Sequence, residues 1–142
     1  MTVMHIRQLL TNEVDEILNI WKNDKMIDLN SYDDSTEQIT CFIKRNNYLC
    51  LGVFEGTCLV GCCLASEDGR RGYIYHFCID KKHRRHGYGT ALLKEIVSRI
   101  SKKGIKKIHV NYFKNNDDAI SFWNHCGFVE RKELIMSTLT IF

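Results

Sequence analysis

Asp80-Lys81-Lys82-His83-Arg84-Arg85-His86-Gly87-Tyr88-Gly89-Thr90 joins two segments of opposite periodicity. The residues before it, Tyr73-Ile74-Tyr75-His76-Phe77-Cys78-Ile79, are aromatic or largely β-branched and read as a strand running from Gly72 to Asp80. After it, Tyr88, Leu92, Leu93, Ile96, Val97 and Ile100 recur at helical spacing. That spacing predicts an amphipathic helix from about Gly87, with Gly104 as its stop. Ile105 to Tyr112 then returns to a strand pattern. Strand, helix and strand in this order form a crossover unit, so the two strands should be parallel and the crossover right-handed.

Upstream, Val3 to Leu9 reads as a first strand. Val14, Ile17, Leu18 and Trp21 place a helix over about Asn12 to Asp24, with Asn12 as N-cap. Ser35 and Gln38 fit a capping box for a second helix over about 36–45. Tyr48 to Glu55 and Thr57 to Glu67 are β-rich runs meeting at Gly56, and Asp68-Gly69 marks a further turn, so three strands form a meander. Downstream, Asp117 or Asp118 opens a helix whose apolar face is Ala119, Phe122, Trp123 and Cys126, and Gly127 ends it. Phe128 and the tail from Leu134 to Phe142 read as final strands. The expected order is β-α-α-β-β-β-α-β-α-β-β, an α/β (α+β) fold with a mixed sheet and helices on its faces.

The 142 residues suit a single domain, 1–142, with enough chain for a sizeable core. A composition of 44% hydrophobic and 26% charged residues is that of a globular chain rather than a disordered one. No apolar run is long enough for a membrane span, and Met1 to Leu10 lacks an export-signal pattern. Seven cysteines without a framework spacing or a C-x-x-C pair argue against a disulfide scaffold and against a zinc site. They read as small buried hydrophobes in a reducing, cytoplasmic setting, with no metal. Lys81 to Arg85 and the Lys102-Lys103 and Lys106-Lys107 pairs are basic, but a net charge of +3 and the lack of a nucleic-acid motif set a nucleic-acid partner aside.

The turn at Arg84 to Thr90 has the makings of a phosphate site. The first amides of a helix lack intrahelical partners, and the helix dipole adds positive potential there. Gly87 and Gly89 let an anion approach the backbone, and the basic residues attract it. A P-loop is excluded, because no Gly-Lys-Ser/Thr follows. A dinucleotide fingerprint fits poorly: Leu92 stands where its third glycine belongs, and no acidic residue ends the next strand.

Arg84-x-x-Gly87-x-Gly89, followed by Thr90-Ala91-Leu92-Leu93, resembles the Q/R-x-x-G-x-G/A motif of the GCN5-related N-acetyltransferases. Asn116-x-x-Ala119-Ile120 and Gly127-Phe128 resemble that family's last-helix motif, and the element order agrees along nearly the whole chain. The short length and the turn at Asp68 to Gly72 look most like the small bacterial RimI/YpeA-type members. The resemblance implies acetyl-CoA as co-substrate and transfer of its acetyl group to a primary amine of a small molecule, protein or peptide, by direct transfer in a ternary complex. It implies that the backbone of Arg84, Arg85, His86, Gly87, Tyr88, Gly89 and Thr90 holds the pyrophosphate. Phe77, Cys78 and Ile79 would pair with the pantetheine arm, with Asn116 bonding that arm and Trp123 beside it. The strands at Phe77 and Val110 would splay to admit the cofactor. The resemblance implies a monomer or a homodimer.

The proton-transfer residues depart from the family pattern. Trp123 occupies the position of the usual tyrosine acid and cannot protonate a thiolate; its spacing suggests packing. Tyr112 and His125 are the candidate substitutes. The positions of the usual strand base fall on Tyr73 and Tyr75, neither a strong base near neutrality. His76 lies between them and by alternation should face the other side of the sheet, unless a bulge reverses it. A lysine amine is only about one part in a thousand neutral at physiological pH, a deficit of about 4 kcal/mol, whereas an α-amine has almost none. The expected acceptor is therefore an amine of lowered pKa, or else the base comes from the first two helices. Their connecting loop holds Asp24, Asp28, Asp33, Asp34 and Glu37, which would suit a cationic acceptor if they do more than face solvent. An acyl-CoA sensor without catalysis is the alternative that the missing acid leaves open.

Overall fold

The computed structural model describes residues 3–142; Met1 and Thr2, the start of the N-terminal stretch and of the domain, lie outside the described residues. The sheet has five strands in sequential order: β1 (Met4–Gln8), β2 (Cys50–Glu55), β3 (Cys58–Glu67), β4 (Gly72–Ile79) and β5 (Ile108–Val110). The first four are antiparallel neighbours, and β5 joins β4 in parallel, as the crossover requires. Helices α1 (Val14–Lys22) and α2 (Thr36–Arg45) precede β2, α3 (Tyr88–Ser101) forms the crossover, and α4 (Asp117–His125) follows β5.

Two apolar cores flank the sheet. Ile17, Leu18 and Trp21 of α1 and Ile39 and Ile43 of α2 bury against Cys50, Phe54, Cys62 and Cys78 on one face. Leu92, Leu93, Ile96 and Ile100 of α3 and Trp123 of α4 bury against Leu51, Val53, Cys63 and Ile74 on the other. Alternation along β2 and β3 sends successive side chains to opposite cores, which is why both strands are buried almost throughout. Val97, expected on the buried face of α3, is exposed, because four apolar positions already fill its contact with the sheet.

Local signals set most boundaries. Ser35 Oγ accepts from the Gln38 amide at 3.2 Å and starts α2. The Asn116 side chain, rather than Asp117 or Asp118, caps α4 by accepting from the Ala119 amide at 3.1 Å. Asn12 does not cap α1. A 3₁₀ turn over Thr11–Glu13 precedes that helix, and Glu13 accepts from the Leu10 amide at 2.7 Å while Arg7 grips both its oxygens. A second 3₁₀ turn, Asn47–Leu49, delays β2 to Cys50, two residues later than the β-rich run at Tyr48 suggested.

The largest departure is at the C-terminus. Among the described residues Phe128 and Leu134 to Phe142 form no strand and pair with none of β1 to β5, so they have no hydrogen-bond ladder. The cysteines divide: Cys50, Cys62, Cys63 and Cys78 are buried, as apolar residues would be, whereas Cys41 and Cys58 are exposed, and all seven are free thiols. Burial pushes the Cys50 thiol up to about 12, so it is inert packing. Among the described residues no helix is long and apolar enough to cross a membrane.

Candidate active site

The pairing of β4 with β5 stops at Ile74 and Val110. Beyond that point the two strands part, and a cleft of about 660 Å³ opens between the C-terminal half of β4, the start of α3 and the face of α4. Eleven residues expected at a cofactor line it: Phe77, Cys78, Ile79, Arg84, Arg85, Gly87, Tyr88, Gly89, Thr90, Asn116 and Trp123. His86 does not. Asp24, Met26 and Ile27, from the loop after α1, form its further wall.

The turn into α3 is shaped to receive an anion. Gly87 is the N-cap, at φ 79°, and no side chain caps the helix, so the amides of Tyr88, Gly89 and Thr90 have no partner within it. Arg85 is also left-handed, at φ 66°, a conformation a non-glycine residue adopts at a cost. Left-handed residues in such a turn aim neighbouring amides into one concavity. Gly89 is set by proximity: a Cβ there would lie 3.3 Å from the Phe122 ring of α4. Bare amides, a helix dipole and a concave turn fit a diphosphate.

Two clamps hold this turn. The Arg84 guanidinium does not point into open space. Its Nε donates to the Ile79 carbonyl at 2.8 Å and its Nη2 to Asp24 Oδ2 at 2.8 Å, tying the α1–α2 loop to the cofactor turn. Burial alone would raise the Asp24 carboxyl, but the Met26 amide and the Arg84 guanidinium hold it below the usual range. The Tyr88 hydroxyl donates to Glu55, which raises its pKa, and His83 Nε2 lies 3.2 Å from the same carboxylate. The turn is thereby fixed to the β2–β3 hairpin.

The expected proton-transfer tyrosines lie elsewhere. Tyr73 and Tyr75 stack on each other on the α2 side of the sheet, where Tyr75 meets Phe42, and neither lines the cleft. Tyr112 packs against the core under α3 and α4, and burial raises its pKa. Trp123 is 3% exposed and wedged between Phe77, Phe122 and Phe128, the packing role its spacing suggested.

His76 is where simple alternation fails. Leu64 pairs with Tyr75 and Cys62 with Cys78, so two residues, His76 and Phe77, oppose Cys63 alone. This is a β-bulge, and His76 takes a left-handed φ of 34° within it. The extra residue keeps His76 on the α1–α2 side, where its ring meets Trp21 edge-on and its Nε2 lies 2.8 Å from Asp34 Oδ1. The carboxylate is almost sealed, with 7% of its side chain exposed. The same bulge turns Phe77 to the opposite face, against Phe122 and Trp123 in the cleft. Tyr73-Ile74-Tyr75-His76-Phe77 carries no glycine to mark the bulge, and nothing in the sequence marked Asp34 as the partner.

A model of the acetyltransferase (GNAT) family matches residues 14–128 of the chain. The chain belongs to the GNAT acetyltransferase family. It is accordingly an acyltransferase, and its five-stranded mixed sheet is that of the family. Solved GNAT-fold structures superpose on it at low identity. The PaiA N-acetyltransferase from Thermoplasma acidophilum, in complex with coenzyme A, gives a TM-score of 0.81 at 20% identity, over 89% of this chain and 90% of that one. Ard1 from Thermoplasma volcanium gives 0.80 at 20% identity, over 89% and 82%. The ribosomal-protein-S18-alanine N-acetyltransferase from Escherichia coli gives 0.78 at 17% identity, over 92% and 80%.

Proposed function

We propose that this GNAT domain, spanning 1–142, is a cytoplasmic enzyme that moves the acetyl group of acetyl-CoA directly to a cationic primary amine in a ternary complex. The carrying observation is the cleft where β4 and β5 part beneath the uncapped start of α3. In this reading the amides of Tyr88, Gly89 and Thr90, with those of Arg85 to Gly87, hold the pyrophosphate. Phe77 to Ile79 offer their free backbone edge to the pantetheine arm, and Asn116 bonds it. Acetyl-CoA supplies the thioester carbonyl that the amine attacks. A β4 amide beside the bulge polarises that carbonyl as charge develops on its oxygen.

His76 is the proposed general base, in place of Tyr73, Tyr75 and Tyr112: like them it does not line the cofactor cleft, but it adjoins Phe77, which does, and its imidazole, unlike a phenol, is an adequate base near neutrality. Asp34 accepts the Nε2 proton, which fixes the tautomer and leaves Nδ1 to take the proton released as the C–N bond forms. An imidazole base matters because a protonated acceptor amine carries the deficit of several kcal/mol described above. The cleaved thiolate leaves without a dedicated acid, tolerable for a group of pKa ~8.5. Asp28, Asp33 and Glu37 stay exposed on the acceptor side and favour a cationic substrate.

One observation favours a second reading, that of an acyl-CoA sensor: the family's acid position holds Trp123, sealed in packing. Free thiol release from acetyl-CoA separates the two. The expected result is saturable release with at least one of peptide α-amines, polyamines or aminoglycosides. CoA binding without release across that panel would replace the enzyme with the sensor.

A further inference from the structure

We propose that single-stranded RNA binds across the open face of β4 and β5, at the end of the sheet far from the cofactor turn. Basic stretches that are separate in the sequence meet there. The Gly72 amide donates to the Lys107 carbonyl at 2.9 Å, joining the turn that carries Arg70 and Arg71 to the loop that carries Lys106 and Lys107. Lys102 and Lys103 follow the last turn of α3 into that loop, where the Lys103 ammonium lies 5.2 Å from the centre of the Tyr48 ring. All six cations are exposed except Arg71, which is half-buried. Glu67 and Asp68 are the carboxylates on these segments. Six cations against two carboxylates leave this end with +4, whereas the whole chain carries +3. Asp68 Oδ1 accepts from the Arg70 and Arg71 amides at 2.9 and 2.8 Å, so it is committed to the turn. The net charge of the chain hid this concentration, and with it the partner that the sequence reading set aside.

The face beside these charges is aromatic. Tyr73 and Tyr75 stack with 6.5 Å between centroids, and Tyr73 lies 5.7 Å from the His109 ring on β5. Tyr75 is 42% exposed. Cations hold a phosphate chain, and neighbouring rings offer π-faces on which unpaired bases stack. A duplex keeps its base faces to itself and gains nothing from the rings. An acidic peptide uses the charges but leaves the rings idle. A membrane needs an apolar side chain to insert, and Ile105, the apolar residue among the lysines, is 6% exposed. The strip is also separate from the coenzyme site. α3 has the cofactor turn at its start and Lys102 just past its end, 14 residues or about 21 Å apart. Neither Tyr73 nor Tyr75 lines the cleft. RNA and CoA therefore bind together, and the RNA site stands whether or not the domain transfers an acetyl group.

Fluorescence anisotropy on the full chain tests this, with a labelled RNA of about 12 nucleotides and no self-complementarity. The expected dissociation constant is about 1–100 μM at about 50 mM salt. Phosphate contacts to Arg70, Arg71, Lys106 and Lys107 predict a slope of about −3 for log K against log salt. Lys106→Gln with Lys107→Gln should bring that slope to about −1.5 and weaken binding at least about tenfold, with CoA affinity unchanged. Tyr75→Ser should weaken binding about tenfold and leave the slope as it was. Saturating CoA should not displace the RNA. Absence of binding at low salt overturns the proposal. So does displacement by CoA, which puts the RNA on the cofactor turn instead. Duplex RNA or polyglutamate binding as tightly as the single strand, or Tyr75→Ser binding like wild type, overturns it as well.

Discussion

Asp24→Asn isolates the link between the acceptor-side loop and the cofactor turn. The asparagine keeps the shape and the Oδ1 that accepts from the Met26 amide at 2.9 Å. It replaces Oδ2, 2.8 Å from Arg84 Nη2 and 3.6 Å from Cys78 Sγ, with an amide that can only donate. A hydrogen bond to a charged group is worth about 1.5–3 kcal/mol. The Arg84 side chain is 35% exposed, so solvent screens part of it. The expected loss is about 1–2 kcal/mol, a fall in melting temperature of about 3–8 °C by calorimetry for a domain of this size. Arg84→Met costs more, because it also strips the Ile79 carbonyl of its donor. The double variant should cost less than the sum, by about 1 kcal/mol of coupling. The pH dependence has a definite sign. The Asp24 carboxyl sits below its ordinary value, so its contribution is full above about pH 3.9 and fades as pH falls through the native value. The variant and wild type should therefore converge in acid. Strictly additive losses, or a difference that grows in acid, would refute the latch.

Gly87→Ala should cost about 1–2 kcal/mol of backbone strain at φ 79° and weaken CoA binding about tenfold by titration calorimetry; unchanged affinity would remove the turn from the site. His76→Gln should lower kcat by about 10²–10⁴ with CoA affinity within about twofold, and Asp34→Asn should give a smaller loss of the same kind; a change under about threefold in the first would end the base assignment. Glu13→Gln should destabilise the fold at neutral pH by about 1–3 kcal/mol in denaturant titrations. The Arg7 guanidinium holds the Glu13 carboxyl below its usual range, so that difference should vanish as pH falls through the depressed value.

Periodicity made the helices legible: Val14, Ile17, Leu18 and Trp21 are all buried where a 3.6-residue repeat places them. The parallel crossover followed from the strand, helix and strand periodicity of Gly72 to Tyr112, and the cleft-lining residues followed from the family resemblance carried by the motifs at Arg84 to Gly89 and at Asn116. What escaped depends on contacts distant in sequence. The His76–Asp34 pair joins residues 42 positions apart through a bulge, and one inserted residue inverts every facing assignment after it. The Arg84 side chain read as one of several basic groups attracting an anion, but its actual partner, Asp24, lies 60 positions away. The tail has strand sequence without strand structure, because a strand needs a ladder partner and the tail has none among the described residues.

Titrating the protein in parallel with CoA and with pantetheine, which has the same arm and thiol but neither the pyrophosphate nor the nucleotide beyond it, measures what the turn at Arg84 to Thr90 contributes together with any nucleotide contacts. If its bare amides grip the diphosphate, CoA binds at least about 100-fold more tightly, a difference of about 2.7 kcal/mol. Equal affinities would mean that the turn holds no phosphate and that the cleft is not a coenzyme A site of the kind described.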